Sequence, residues 1–143
     1  MEAVIRELFD RYENFFNRSL IDGVDASELS RLYAEEFIGA GPSGVKAGRN
    51  DADFGRSMAQ SYDYYRRIGT KHMRMTDIRL SRIDEHHSLA HVGWTASYAR
   101  DDGSLAAIDF DIHYFVQVLN GQAKVFGWVS GDEQALLKQH GIG

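Results

Sequence analysis

The segment "AAIDFDIHYFVQV" contains two sets of side chains that would point to opposite faces of a β-strand, because successive strand residues alternate sides. One set consists of Asp109, Asp111 and His113, which are groups that can transfer protons or bind a metal. The other set is mostly apolar and comprises Ile108, Phe110, Ile112, Tyr114 and Val116. The face that is turned toward the protein interior therefore decides which chemistry a site on this strand can perform.

Hydrophobic burial favours an interior lined by the apolar set. Turning that set toward water would cost about 1.5–3 kcal/mol for each large side chain. We therefore predict that Asp109, Asp111 and His113 face outward. A lyase, isomerase or cyclase that uses His113 with Asp109 or Asp111 stays an alternative, because a one-residue register slip or a β-bulge would turn these groups inward.

Length, composition and charge limit the possible classes of protein. The 143 residues correspond to one domain, residues 1–143, and there is no cysteine for disulfides or thiolate metal sites. The net charge of −5 argues against nucleic acid as a partner. The first residues, "MEAVIRELFDRYENFF", contain no apolar run typical of a signal peptide or a membrane span. We expect a soluble, cytoplasmic protein that does not bind membranes.

The histidines of "DEHHSLAH" are candidate metal ligands. His86 and His87 are adjacent near a predicted turn and would point apart, and with His91 they match no common zinc-ligand spacing. Asp109, Asp111 and His113 would lie on an open sheet surface without supporting groups around a metal. The sequence therefore predicts no metal and no cofactor.

The hydrophobic period changes from 3.6 to 2 along the chain, which predicts helices followed by strands. Asp25 and Glu28 are spaced as a helix capping box, as are Ser130 and Glu133, and "NG" at 120–121 predicts a hairpin turn. The predicted helices cover residues 2–18, 25–33 and 50–68 with a short closing helix after Ser130, and the main predicted strands cover 72–83, 89–99, 105–118 and 123–129. This order indicates an α+β fold with the helices on one side of a sheet.

The segments "LFDRYENFF", "ELSRLYAEEF", "AGRNDADF" and "HYFVQVLNGQAKVFGWVSGDEQALL" resemble the nuclear transport factor 2-like superfamily, in particular its SnoaL-like group. The resemblance implies a curved antiparallel sheet that forms a cone, closed by three N-terminal helices, with a short C-terminal helix. It also implies a homodimer that forms through the convex face of the sheet.

A more distant resemblance to ketosteroid isomerase suggests roles for individual residues. By that resemblance Tyr12 is the hydrogen-bond donor to a developing oxyanion, Tyr33 supports its hydroxyl, and Tyr114 stands at the position of a second donor. The aspartate base of that enzyme would precede Pro42, where this chain has Gly41. The resemblance therefore implies a site that retains its donors and lacks the isomerase base.

Aromatic residues with polar tips are abundant at the predicted inward positions, which is typical of an apolar pocket with a few donors. The predicted ligand-binding residues are Tyr12, Phe16, Tyr33, Phe54, Met58, Trp94, Tyr98, Phe110, Ile112, Tyr114, Phe126 and Trp128. We predict a protein that binds a small hydrophobic molecule, or a weak isomerase, dehydratase or cyclase that acts on a small hydrophobic carbonyl compound. A dimerisation module with a vestigial pocket is a further alternative.

Overall fold

A computed structural model describes all 143 residues and contains four helices and six strands. The helices are α1 (Glu2–Asp22), α2 (Ala26–Leu32), α3 (Ala52–Arg67) and α4 (Glu133–Gln139). The strands are β1 (Tyr33–Gly41), β2 (Gly44–Arg49), β3 (Thr70–Arg82), β4 (His87–Ala99), β5 (Leu105–Leu119) and β6 (Gln122–Ser130). The fold is α+β, with three N-terminal helices and a short C-terminal one, as predicted.

The six strands form one sheet in the order β2-β1-β6-β5-β4-β3. Strand β1 runs parallel to β6, whereas all the other pairs are antiparallel, so the sheet is mixed and the prediction of an antiparallel sheet is wrong at this position. The pairing of β1 with β6 joins distant parts of the chain and has no local sequence signal. Strand β2 was not predicted because its exposed residues lack an apolar alternation.

One face of the sheet, called the inner face below, packs against α1 and α3, and the opposite face is called the outer face. Strand β4 alternates strictly between buried and half-buried residues, and its inner residue Trp94 has an exposed fraction of 0%. Helix α1 covers this face with the buried side chains of Ile5, Leu8 and Phe9. The core therefore lies between the N-terminal helices and the long strands. No helix of the structure is both long enough and apolar enough to cross a membrane.

Strand β5 has the orientation that hydrophobic burial predicts. Ile108 and Tyr114 on the inner face are 1% and 2% exposed, whereas Asp109, Asp111 and His113 are exposed on the outer face. The confirmed orientation brings the apolar set and the Tyr114 hydroxyl to the interior.

A β-bulge interrupts the alternation of β6 at Phe126. Tyr114 pairs with Trp128 and Phe115 with Gly127, but Val116 pairs with Val125, so Phe126 has no partner on β5. A bulged residue shifts the side-chain alternation by one position. Consequently both Val125 and Trp128 pack on the inner side although they are three residues apart.

Candidate functional site

A cavity of about 210 Å³ lies between the inner face of the sheet and helices α1, α3 and α4. Eighteen of the 22 residues that line it are hydrophobic. Buried side chains such as Tyr33 and Tyr114 form its deep end, whereas exposed residues such as Ser61, Glu133 and Gln134 lie at its mouth. The cavity is thus an apolar chamber with polar groups at both ends.

Ten of the twelve residues predicted for the pocket lie on the wall of this cavity. They are Tyr12, Phe16, Tyr33, Phe54, Met58, Tyr98, Phe110, Ile112, Tyr114 and Trp128. They come from α1, α3 and four strands, so the fold brings together positions that are far apart in the sequence. Binding of a ligand by these residues stays a prediction.

Trp94 lies behind the cavity wall rather than on it. Its indole is fully buried, with its ring centroid 5.9 Å from that of Tyr12. Its Nε1–H donates a hydrogen bond of 3.1 Å to the hydroxyl of Tyr114. Trp94 therefore positions a wall residue and does not itself face the chamber.

Phe126 lies on the outer face, so its assignment to the pocket is wrong. Its ring packs beside Phe115, at 5.7 Å between centroids, and beside His87 at 6.0 Å. The prediction assumed that Phe126 and Trp128 share a face, as residues two apart do in a regular strand. The bulge at Phe126 breaks that alternation.

Three tyrosines, Tyr12, Tyr33 and Tyr114, form what we call the tyrosine cluster at the deep end of the cavity. Tyr12 is on α1, Tyr33 is the first residue of β1, and Tyr114 is on β5. The Tyr33 hydroxyl donates to the Tyr12 hydroxyl at 3.1 Å, and the Tyr12 and Tyr114 rings meet edge to face at 5.6 Å. Three separate elements thus place their hydroxyls at one point.

Burial raises the pKa of all three hydroxyls in the tyrosine cluster. For Tyr12, hydrogen bonds from the hydroxyls of Tyr33 and Tyr114 lower the pKa again in part. The cluster is therefore protonated at neutral pH. Because the Tyr12 oxygen accepts from the Tyr33 hydroxyl, its own O–H remains available to donate to a ligand oxygen. Such a donor can polarise a carbonyl group.

Glu133 is the only carboxylate on the cavity wall, and it is not among the residues predicted for the pocket. The predicted capping box of Ser130 and Glu133 is wrong, because the N-cap of α4 is Asp132, whose side chain accepts from Ala135 N at 3.0 Å. Glu133 instead lies on the inward side of α4. Its spacing of three and four residues from Leu136 and Leu137, which also line the cavity, is the signal that could have revealed it.

The acid–base alternative required His113 and its neighbours to lie inside the cavity, and they lie outside it. His113 Nδ1 is 2.8 Å from His91 Nδ1, and Thr95 Oγ1 donates to Asp109 at 2.5 Å, both on the outer face. His86 and His87 lie near the β3–β4 turn, where His87 Nδ1 is 2.8 Å from Asp84. The structure contains no group of three or more acidic or histidine side chains that could hold a metal ion.

Gly41 ends β1 beside the last residue of β6. A Cβ atom built at Gly41 would lie 3.7 Å from both the carbonyl oxygen and the Oγ of Ser130, which is ordinary van der Waals contact. Ser130 lines the cavity, so a carboxylate at position 41 would reach the edge of the chamber. The fold therefore has room for a carboxylate side chain at position 41, although the sequence has none there.

The comparisons with known proteins agree with this fold. The family model described as NTF2-like protein (DUF6841) matches residues 2–133, and the chain belongs to this family. An NTF2-like protein with a cystatin-like fold from Novosphingobium aromaticivorans superposes with a TM-score of 0.70 at 16% identity, over 95% of this chain and 88% of that chain. The Kfla4162 protein from Kribbella flavida gives a TM-score of 0.68 at 15% identity, over 96% of each chain.

A third similar structure is an NTF-2 like protein of unknown function from Shewanella oneidensis, with a TM-score of 0.66 at 14% identity over 92% of this chain and 98% of that one. A comparison with curated proteins finds no match. At these identities the solved structures establish the fold alone. The SnoaL-like grouping and the homodimer through the outer face stay predictions.

Proposed function

We propose that this protein binds a small, flat, hydrophobic molecule that carries a carbonyl or hydroxyl group, in the manner of a SnoaL-like binding protein or weak enzyme. The observation that carries the proposal is the tyrosine cluster at the buried end of an apolar cavity. In such pockets hydrophobic walls supply most of the binding free energy, and a few hydrogen-bond donors orient the ligand. The oxygen of the ligand would accept a hydrogen bond from the Tyr12 hydroxyl.

The size of the cavity limits the ligand. A cavity of about 150 Å³ lined by aliphatic and aromatic side chains can bind benzene. The volume of about 210 Å³ therefore suits a ligand of one or two rings. The aromatic walls, which include Phe54, Phe110 and Trp128, favour a flat ring over a branched chain.

Binding is a better supported function than rapid turnover. The tyrosine cluster can polarise a carbonyl, but the position of the isomerase base is occupied by Gly41. A donor without a base at that position gives weak catalysis of the isomerase type. The open cavity also argues against a purely structural module with a vestigial pocket, because a fold selected only for packing would fill this space.

Replacement of Tyr12 by phenylalanine tests the proposed donor. We expect Tyr12→Phe to weaken the binding of 4-(2-hydroxyethyl)phenol by about 0.5–1.5 kcal/mol, the contribution of one hydrogen bond. Both tryptophans of the chain lie at the cavity, Trp128 on its wall and Trp94 behind it, so quenching of the intrinsic tryptophan fluorescence measures the affinity.

Tyr62→Phe is the matched control for this measurement. Tyr62 is a buried tyrosine on the same cavity wall, and it takes no part in the hydrogen bond between Tyr33 and Tyr12. Its replacement should leave the affinity within twofold of the wild type. Equal affinities of the wild type and Tyr12→Phe would show that Tyr12 is not the donor.

A further inference from the structure

The cavity wall has an unusual distribution of charge. Among its 22 residues there is no lysine, arginine or histidine, and Glu133 is the only carboxylic acid, which is negative when ionised. The six lining tyrosines with raised pKa values are neutral. A ligand in this chamber therefore experiences a net negative field from one end.

Glu133 has no partner within the protein. The ion pairs of the structure all join other residues, and its carboxylate takes part in no side-chain hydrogen bond. Partial burial of the carboxyl group against the cavity wall raises its pKa, although the residue as a whole is exposed at the mouth. Tyr12, Tyr65 and Tyr98 line the same cavity as this carboxylate. Burial is the main cause of their raised pKa values, and the charge of Glu133 adds to it.

Aromatic rings line the same cavity as this carboxylate. Tyr65 and Tyr98 line the cavity near Glu133, and Phe16, whose ring centroid is 5.5 Å from that of Tyr65, continues the same wall. The faces of such rings carry partial negative charge and attract an organic cation. The carboxylate and the rings thus favour the same kind of group, and both disfavour an anion.

We propose that the cavity selects a hydrophobic amine, held with its ammonium group against Glu133 at the mouth and its oxygen at the tyrosine cluster. This inference rests on the proposed function, to which it adds the chemical class of the ligand. It follows that carboxylate-bearing analogues of the same skeleton are rejected. The two ends of the chamber therefore recognise two different groups of a single ligand.

A matched series of three phenols tests this selectivity. The compounds 4-(2-aminoethyl)phenol, 4-(2-hydroxyethyl)phenol and 4-hydroxyphenylacetate share a ring and a phenolic hydroxyl, and differ in a terminal ammonium, hydroxyl or carboxylate. With wild-type protein at pH 7.5, we expect the amine to bind about fivefold more tightly than the alcohol, and the carboxylate about fivefold more weakly than the alcohol.

Glu133→Gln should bring the affinities of the amine and the alcohol within twofold of each other while the affinity of the alcohol is retained. Glu85→Gln is the control, because it removes the same charge from an exposed residue that does not line the cavity. It should preserve the wild-type order. Thermal denaturation followed by circular dichroism verifies that each variant folds.

The outcomes separate this inference from the proposed function. If the alcohol binds but the amine binds no more tightly, or if Glu133→Gln keeps the fivefold preference, the amine selectivity is wrong and the binding pocket stands. If none of the three compounds quenches the tryptophan fluorescence or raises the melting temperature, both the pocket assignment and the selectivity are overturned.

Discussion

Trp94→Ala is expected to lower the free energy of unfolding by about 3–5 kcal/mol, the range observed when a large aromatic side chain is removed from a core. The indole is completely buried between β4 and α1. Its removal therefore leaves a cavity that the surrounding strands cannot close. The substitution also removes the N–H that donates to the Tyr114 hydroxyl. Urea denaturation monitored by circular dichroism measures the effect.

Phe126→Ala is the appropriate comparison for Trp94→Ala. Phe126 is also aromatic and in the sheet, but it is half-buried on the outer face. Phe126→Ala should therefore lower the free energy of unfolding clearly less than Trp94→Ala does in the same assay. If the two substitutions lowered the free energy of unfolding equally, Trp94 would not be the centre of the core. Its hydrogen bond to the tyrosine cluster would then not contribute to stability.

Ile112→Trp is expected to reduce the affinity for 4-(2-hydroxyethyl)phenol by about 50–100-fold. Ile112 lies on the cavity wall, and a tryptophan there would occupy the space of one ligand ring. Excluding a ring that buries about 100 Å² of apolar surface, at about 25 cal/mol per Å², loses about 2.5 kcal/mol of binding free energy. Calorimetric titration measures the affinity without relying on the added indole fluorescence.

His113→Trp introduces the same side chain at the next position of β5, on the outer face. It should leave the affinity unchanged. A large loss of affinity in His113→Trp together with normal binding by Ile112→Trp would place the ligand on the outer face. That result would contradict the proposed binding in the cavity. The pair of variants also separates the binding pocket from the acid–base alternative that invoked His113.

The inner side of β5 could be predicted from the sequence because burial acts on the whole strand. Five apolar or aromatic inner side chains oppose Asp109, Asp111 and His113, and the sum of their burial energies exceeds what any local preference contributes. For the same reason the helical residues Tyr12, Phe16 and Met58 were correctly placed on the inward side. Regular periodicity is the information that a single sequence conveys best.

The errors lie where periodicity is interrupted or where the signal is not local. Phe126 was misplaced because a bulge is a one-residue irregularity without a distinctive residue pattern. The parallel pairing of β1 with β6 depends on the tertiary fold. Glu133 was interpreted as a capping residue because it follows Ser130 by three residues, the spacing of a capping box, whereas the N-cap of α4 is Asp132 and Glu133 lines the cavity.

The most direct test of the central claim is to locate a bound ligand by intermolecular nuclear Overhauser effects with 4-(2-hydroxyethyl)phenol. The account predicts contacts from the ligand ring to Met58, Phe110 and Ile112, which line the cavity on α3 and β5. Contacts to Phe115 and Phe126 on the outer face, without any to the cavity residues, would contradict it.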